Sequence, residues 1–237
     1  MVIDKNEIAS MFNDIAPTYD KLNHILSLNV DKSWRRKAVR RLKKAVAKAD
    51  KPKLLDVACG TADSTVQIAK TIENSRIDAI DISDGMLYVG KEKVKKMKLS
   101  HRISFYNSCA EHIVCQDDVY DGAMVAFGVR NFADRIAGLK ELRRVLKPSG
   151  TLVIVELSEP KNKIVRWFYN LYFENVLPLI GKGVSGNKAA YRYLQKSVAA
   201  FPMPKEFMEM LRECGYVNIK HKALTFGLCR IYEATKM

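Results

Sequence analysis

Lys53–Ile72 reads KLLDVACGTADSTVQIAKTI. Its first seven residues are a short apolar run with no helical period, and from Ser64 the apolar residues fall at helical spacing. Between them lies a tight loop with one glycine, Gly60. The stretch is strand, loop, helix, and the same rhythm recurs downstream. RIDAIDIS (76–83) reads as a strand and MLYVGKEKVKKM (86–97) as a helix with a basic outer face. RISFYN (102–107) and DGAMVAFG (121–128) read as strands, RIAGLKELRRVLK (135–147) as an amphipathic helix and TLVIVEL (151–157) as a strand. Pro148 cannot continue the helix before it, and Gly150 is expected to free the turn. Continuous apolar strands separated by amphipathic helices specify an α/β fold: a mostly parallel sheet with helices on both faces.

After Pro160 the rhythm changes. KIVRWFYNLYFENVLPLI (163–180) is aromatic and reads as helical, as do YRYLQKSVAAF (191–201) and PKEFMEMLRECGY (204–216). The last of these has Pro near its start and Gly at its end, as helices do. VNIKHKALTFGLCRIYEATK (217–236) reads as two strands turning near Gly227, which sets the final strand antiparallel. Residues 1–50 read as a helical cap of the same unit. Residues 51–237 read as the ligand-binding domain, with a helical substrate insertion over about 160–203. Within the cap, WRRKAVRRLKKAVAKA puts Val39, Leu42, Val46 and Ala49 on one stripe among Arg and Lys. Such a helix either packs on the domain or lies on an anionic membrane, and the small stripe favours packing.

The chain has 237 residues, 48% hydrophobic and 28% charged, enough for one good core and unlike a disordered chain. Its formal net charge of +14 draws it to polyanions, anionic membranes or acidic small molecules without choosing among them. The five cysteines show no C-x-x-C spacing, and the start carries no signal-peptide pattern, so a reducing cytoplasm is expected. No apolar run reaches membrane-spanning length. The four histidines are scattered without ligand spacing, so no metal site is expected.

Ligands of an open parallel sheet bind at the carboxyl edge of its strands. A dinucleotide fingerprint would place G-x-G-x-x-G there, whereas LLDVACGTAD has only Gly60. A ligand without close-packed phosphates needs fewer glycines, and S-adenosyl-L-methionine is such a ligand. Asp81 ends the second strand 21 residues after Gly60, where a carboxylate can accept both ribose hydroxyls. Asp56 can hold the loop or reach the methionine ammonium through water, and Thr61 flanks the glycine. The structural alternative is that Asp56 and Asp81 cap helix starts.

YDKLNHILSLNVDKSW (19–34) is too polar for a core helix and too apolar for a disordered arm. With it, RRVLKPSGTLVIVELSEP (143–160), AFGVRNF (126–132), VLPLIG (176–181) and AYRYLQKSVAAFP (190–202) fall in order along the chain. The sequence resembles the menaquinone and ubiquinone biosynthesis C-methyltransferases from about residue 9 to 235. Tyr19, Asp20, Asn23, Ser27 and Trp34 match the family's first signature, with Leu22 for the usual Met and Asp31 for the usual His. Glu156 and Ser158 match the second, with Ser149-Gly150 for the usual Gly-Gly. The resemblance implies a class I S-adenosylmethionine-dependent methyltransferase: a Rossmann-like, mostly parallel sheet with an antiparallel last strand and an N-terminal helical cap. It implies methylation of a polyprenylated quinol ring carbon, demethylmenaquinol to menaquinol, with a ubiquinone-pathway benzoquinol as the alternative. One departure stands out. The family's Asp-Ala after the third strand is Cys109-Ala110, leaving the Ala110 N–H for the adenine edge, with Glu111 as a substitute for the missing carboxylate.

In that resemblance the opening segment is a lid whose Leu22, Ile25, Leu26 and Leu28 wall a pocket. Tyr19, Asn23, His24 and Tyr191 are expected at the substrate. An aromatic carbon is a poor nucleophile until the adjacent hydroxyl loses its proton, so a cation that favours the phenolate is needed. Arg130 and Asn131, after the fourth strand, are the catalytic candidates. Their structural alternatives are an Arg130–Asp134 pair and Asn131 as a helix cap. The charge leaves two other readings open: an RNA methyltransferase and a non-catalytic RNA-binding module. FGVRNF lacks the Asn/Asp-Pro-Pro-aromatic pattern of enzymes that methylate exocyclic amines, a binding module leaves the cofactor loop and the aromatic insertion unexplained, and no specific nucleic-acid partner is expected. Self-association as a homodimer, and contact with the inner face of the membrane, stay open.

Overall fold

The computed structural model describes residues 5–160, 162–171 and 188–237. In chain order the helices are α1 (Lys5–Ile15), α2 (Tyr19–Leu26), α3 (Val30–Ala45), α4 (Asp63–Thr71), α5 (Asp84–Lys96), α6 (Arg135–Val145), α7 (Lys163–Leu171), α8 (Lys188–Ala199) and α9 (Pro204–Glu213). The strands are β1 (Lys53–Val57), β2 (Arg76–Asp81), β3 (Ile103–Asn107), β4 (Tyr120–Ala126), β5 (Leu146–Leu157), β6 (Tyr216–Leu224) and β7 (Cys229–Lys236). They form one sheet in the order β3-β2-β1-β4-β5-β7-β6, parallel except where β7 runs antiparallel to both neighbours. The order reverses between β1 and β4, so the carboxyl ends of these strands open the crevice where an α/β sheet binds ligands.

Both faces of the central strands are covered, while the edge strands β3 and β6 are largely exposed. Leu54, Ile77 and Val153 point to the side covered by α3, α4 and α5. Leu55, Ala123, Val125 and Ile154 point to the side covered by α6 and α9. The basic helix α3 is one of the covering layers: Ala38, Val39 and Leu42 are wholly buried. Its apolar stripe is therefore spent on the sheet and is not available to a membrane. The helix ends at Ala45, so Ala49 is not on that stripe within α3. Among the described residues, no helix is long and apolar enough to cross a membrane.

Local chemistry sets the ends of these elements. The Ser83 hydroxyl caps α5 by accepting the Met86 N–H, and Asp134 caps α6 by accepting the Ala137 N–H at 3.0 Å. The Pro148-Ser149-Gly150 kink inside β5, where its register with β4 shifts, corrects the sequence expectation that this segment separates helix from strand. Ser149 takes the left-handed backbone at φ +65°, whereas Gly150 is needed for space, since a Cβ there would sit 2.7 Å from the Lys147 carbonyl oxygen. The expected insertion over about 160–203 is helical in α7 and α8. VLPLIG and the side chain of Tyr191 lie outside the described residues.

Candidate active site

The β1–α4 loop is built from left-handed residues: Ala58 at φ +53°, Gly60 at +55° and Ala62 at +67°. Alanine pays about 1–2 kcal/mol for that conformation, the kind of strain that persists at ligand sites. Gly128, beyond β4, lets the next loop close over this one, because a Cβ there would lie 2.5 Å from the Ala58 Cβ. The result is a cavity of about 70 Å³ at the carboxyl edge of β1, β2 and β4. Gly60, Asp81, Cys109, Ala110 and Asn131 line it, as expected of four of the cofactor candidates, and Lys5, Ile8 and Phe12 of α1 roof it.

Asp81 is the organising carboxylate. Its Oδ2 accepts the Gly60 N–H at 2.8 Å and its Oδ1 the Ser83 N–H at 2.9 Å. Burial pushes its carboxyl above the usual range, and these backbone donors pull against that shift. Asp56 lies behind the loop, wholly buried and not on the cavity wall. The Thr65 hydroxyl donates to its Oδ2 at 2.6 Å, and its Oδ1 has no partner. Burial, with neighbouring Asp81 adding to it, pushes the Asp56 carboxyl up to about 7. An orphaned, half-protonated carboxylate behind the loop fits a ligand that brings a cation. Thr61 departs from expectation: its hydroxyl donates to Asp20 of α2, away from the cavity. Glu111, the expected substitute for the missing carboxylate, lines the cavity and is tied on both oxygens. Its Oε1 accepts the Ala133 and Asp134 N–H groups at 2.7 and 3.2 Å, and Lys5 lies 3.3 Å from Oε2. Lys5 also donates to the Cys109 thiol sulfur at 3.7 Å.

A second cavity of about 360 Å³ adjoins the first, and Tyr19 and Phe127 line both. Its walls are mainly apolar, with Leu26, Val30, Trp34, Leu157, Leu194 and Leu228 among them. Arg130 and Asn23 supply polar groups. Arg130 is held through its Nη1 and its backbone N–H, while its buried Nε has no partner among the described residues. Its Nη1 donates to Glu156 Oε1 at 2.7 Å and to the Phe127 carbonyl, and its own N–H donates to Glu156 Oε2 at 3.2 Å. Burial alone would pull the guanidinium down, but Glu156 and then Tyr19 hold it above its ordinary value. The expected alternative partner, Asp134, caps α6 instead, and Asn131 caps nothing. Asn131 accepts the Tyr193 hydroxyl of α8 at 2.9 Å, bringing the insertion to the cofactor cavity.

His24 does not line either cavity. Its Nδ1 lies 2.9 Å from Asp31 and its Nε2 3.5 Å from Asp63, in a cluster shared with Ser27 and Arg35. His24, Asp31 and Asp63 could converge on a metal ion. Arg35 on both carboxylates and Lys93 on Asp63 already supply the positive charge. Sequence reading missed four residues here. Glu156 was visible only as a signature match, Tyr193 sits two positions from the expected Tyr191, and Lys93 looked like surface. Asn13 accepts the Ser83 hydroxyl at 2.7 Å and the Gly85 N–H at 2.9 Å, which latches α1 to α5.

The family model of the ubiE/COQ5 methyltransferases matches residues 1–236. The chain belongs to that family. A demethylmenaquinone methyltransferase of Bacteroides fragilis is 40% identical over 230 residues, covering 97% of this chain and 92% of that protein. The ubiquinone/menaquinone biosynthesis C-methyltransferase UbiE of Geobacter sulfurreducens is 41% identical, covering 97% and 88%. Solved structures share the fold at low identity. The [4+2]-cyclase SpnF aligns with a TM-score of 0.68 at 15% identity over 97% of this chain and 94% of that one. An S-adenosylmethionine-dependent methyltransferase of Aquifex aeolicus aligns at 0.57 and 19% identity, over 78% and 82%. A cyclase among these neighbours shows that the fold alone does not name the chemistry. Membership of the ubiE/COQ5 family does: the protein is a methyltransferase, and S-adenosylmethionine is its cofactor.

Proposed function

We propose that the protein methylates a ring carbon of a prenylated quinol, converting demethylmenaquinol to menaquinol. The observation that carries this reading is the pair of abutting cavities: a polar one at the β1–α4 loop and a larger apolar one meeting it at Tyr19 and Phe127, with Arg130 on the wall. Gly60, Asp81 and the Ala110 N–H hold S-adenosylmethionine, Asp56 holds their loop from behind through the Thr65 hydroxyl, and Cys109 lines the site beside Lys5. When bound, the cofactor supplies an electrophilic sulfonium methyl.

The chain's own residues prepare the acceptor. Leu26, Val30 and Trp34 hold the ring and exclude water, which strengthens every charge interaction inside. Tyr19 and Asn23 orient the ring hydroxyls. Arg130, fixed by Glu156, stabilises the phenolate, and this interaction grows as the proton leaves, which is what raises the rate of the chemical step. The Geobacter sulfurreducens relative carries both quinone pathways in its name, which keeps a benzoquinol as the second reading. Incubating the protein with labelled S-adenosylmethionine, both reduced precursors and RNA decides. Label in the naphthoquinol product is expected, and label only in RNA or in neither quinol overturns the reading.

A further inference from the structure

Four large apolar side chains are more than half exposed on segments that line the 360 Å³ cavity. Leu28, which lines it, is 76% exposed. Phe226 is 82% exposed and lies between Thr225 and Leu228, with both of those neighbours lining the cavity. Ile164 is 68% and Trp167 60% exposed, on the helix that sends Val165 to the cavity wall. Three segments distant in sequence thus contribute to the wall and also carry bulky, exposed apolar groups. Other exposed large apolar residues, such as Tyr88 and Val114, belong to segments that give nothing to this cavity.

Two of these groups are held out at a cost. Leu28 has φ +50° and Phe226 φ +56°, in the left-handed region where bulky residues are rare. The turn carrying Phe226 is pinned, because the Trp34 indole N–H donates to the Thr225 hydroxyl at 2.8 Å. Folding that keeps apolar groups in water under strain points to a use for them. The surrounding charge is basic. Lys32, Lys163, Arg166, Lys220 and Lys222 are exposed on the segments that carry or adjoin these groups. The acidic residues of the same segments are withdrawn: Asp31 is buried against Arg35 and Glu159 is half-buried.

We propose that this rim docks on an anionic phospholipid bilayer, with Leu28, Ile164, Trp167 and Phe226 entering the interface so that the cavity opens onto the membrane. The apolar groups supply insertion and the lysines supply attraction to the lipid headgroups. The basic helix α3 contributes only long-range charge, since its apolar stripe is buried. The inference rests on the quinol reading for its purpose, and its test separates the two. Phe226 and Ile164 do not line the cavity, so a Phe226→Asp, Ile164→Asp protein keeps the reaction machinery.

Two measurements are made on the wild type and this variant. Sedimentation with phosphatidylcholine vesicles, with and without phosphatidylglycerol, reads docking. Methyl transfer to a short-chain, water-soluble demethylmenaquinol reads chemistry. The wild type should bind the anionic vesicles, more weakly in high salt and about tenfold more tightly than the variant. Short-chain turnover should be equal in both, and turnover of a long-chain quinol embedded in vesicles should fall about tenfold in the variant. Equal vesicle binding by the two proteins, or equal wild-type binding to neutral and anionic vesicles, overturns the docking surface. Failure of the wild type to methylate the soluble quinol overturns the function while vesicle binding still reads the surface.

Discussion

Asp56 has half its hydrogen-bonding capacity unused. Its folded-state carboxyl is pushed up to about 7 by burial, against 3.8 for the free group. Between those values the folded protein holds a proton that the unfolded chain has lost, so stability falls as pH rises through the window and stays low above it. Asp56→Asn removes that cost. Without cofactor, the variant should be more stable than the wild type at pH 8 by about 2–4 kcal/mol, with the difference fading toward pH 4. Urea unfolding across pH checks this, and a less stable variant at pH 8 would mean that Asp56 is ionised and paired. The same variant should bind S-adenosylmethionine more weakly. Arg130 is the second residue whose environment fixes an expectation. Arg130→Ala should lower kcat by about two to three orders of magnitude with cofactor affinity nearly constant. Asp134→Ala, which loses only a cap, should cost about 1 kcal/mol of stability and leave kcat alone. Comparable kcat losses in the two variants would return Arg130 to a bracing role.

At the scale of the element, the strands and helices of the sheet were legible because their apolar residues follow one period over whole segments. Gly60, Asp81, Ala110 and Asn131 were legible for the same reason, since a residue at a strand's carboxyl end needs only the sheet to place it. Thr61 and His24 were not, because their partners come from helices packed across the loop. The hydroxyl of Thr61 serves Asp20, and the ring of His24 serves Asp31 and Asp63. Arg130 was placed at the edge after the fourth strand, but neither its burial nor its partner was visible: Glu156 lies 26 residues away on the neighbouring strand. The left-handed Ser149 illustrates the remaining limit. Sequence assigns left-handed backbone to glycine by default, and here the glycine was needed for close approach instead.

Taken whole, the molecule is a sheet with a roof that is fastened by charge as well as by the packing of Phe12, Ile15 and Ala16 against Met86 and Val89. Lys93 of α5 donates to Asp20 of α2 at 2.6 Å and to Asp63 of α4 at 2.5 Å, while Asn13 latches α1 to the start of α5. These ties join four elements that no local pattern relates, and they close the roof over the cofactor cavity. Lys93→Ala leaves the half-buried Asp20 facing Asp63 without the cation that joined them, although Arg35 still lies 3.6 Å from Asp63, so α2 should lift and α1 with it. The three groups keep partial contact with water, which limits the loss to about 1–2 kcal/mol. The expected result is a rise of about tenfold in KM for S-adenosylmethionine, with kcat at saturating cofactor changed far less. Hydrogen exchange should quicken in α1 and α2 while β1, β4 and β5 stay protected, because the sheet does not depend on the roof. Adding cofactor should slow exchange in the roof of the wild type and do so less in the variant. Uniformly faster exchange with an unchanged KM would make Lys93 an ordinary stabilising contact and remove the roof from cofactor binding.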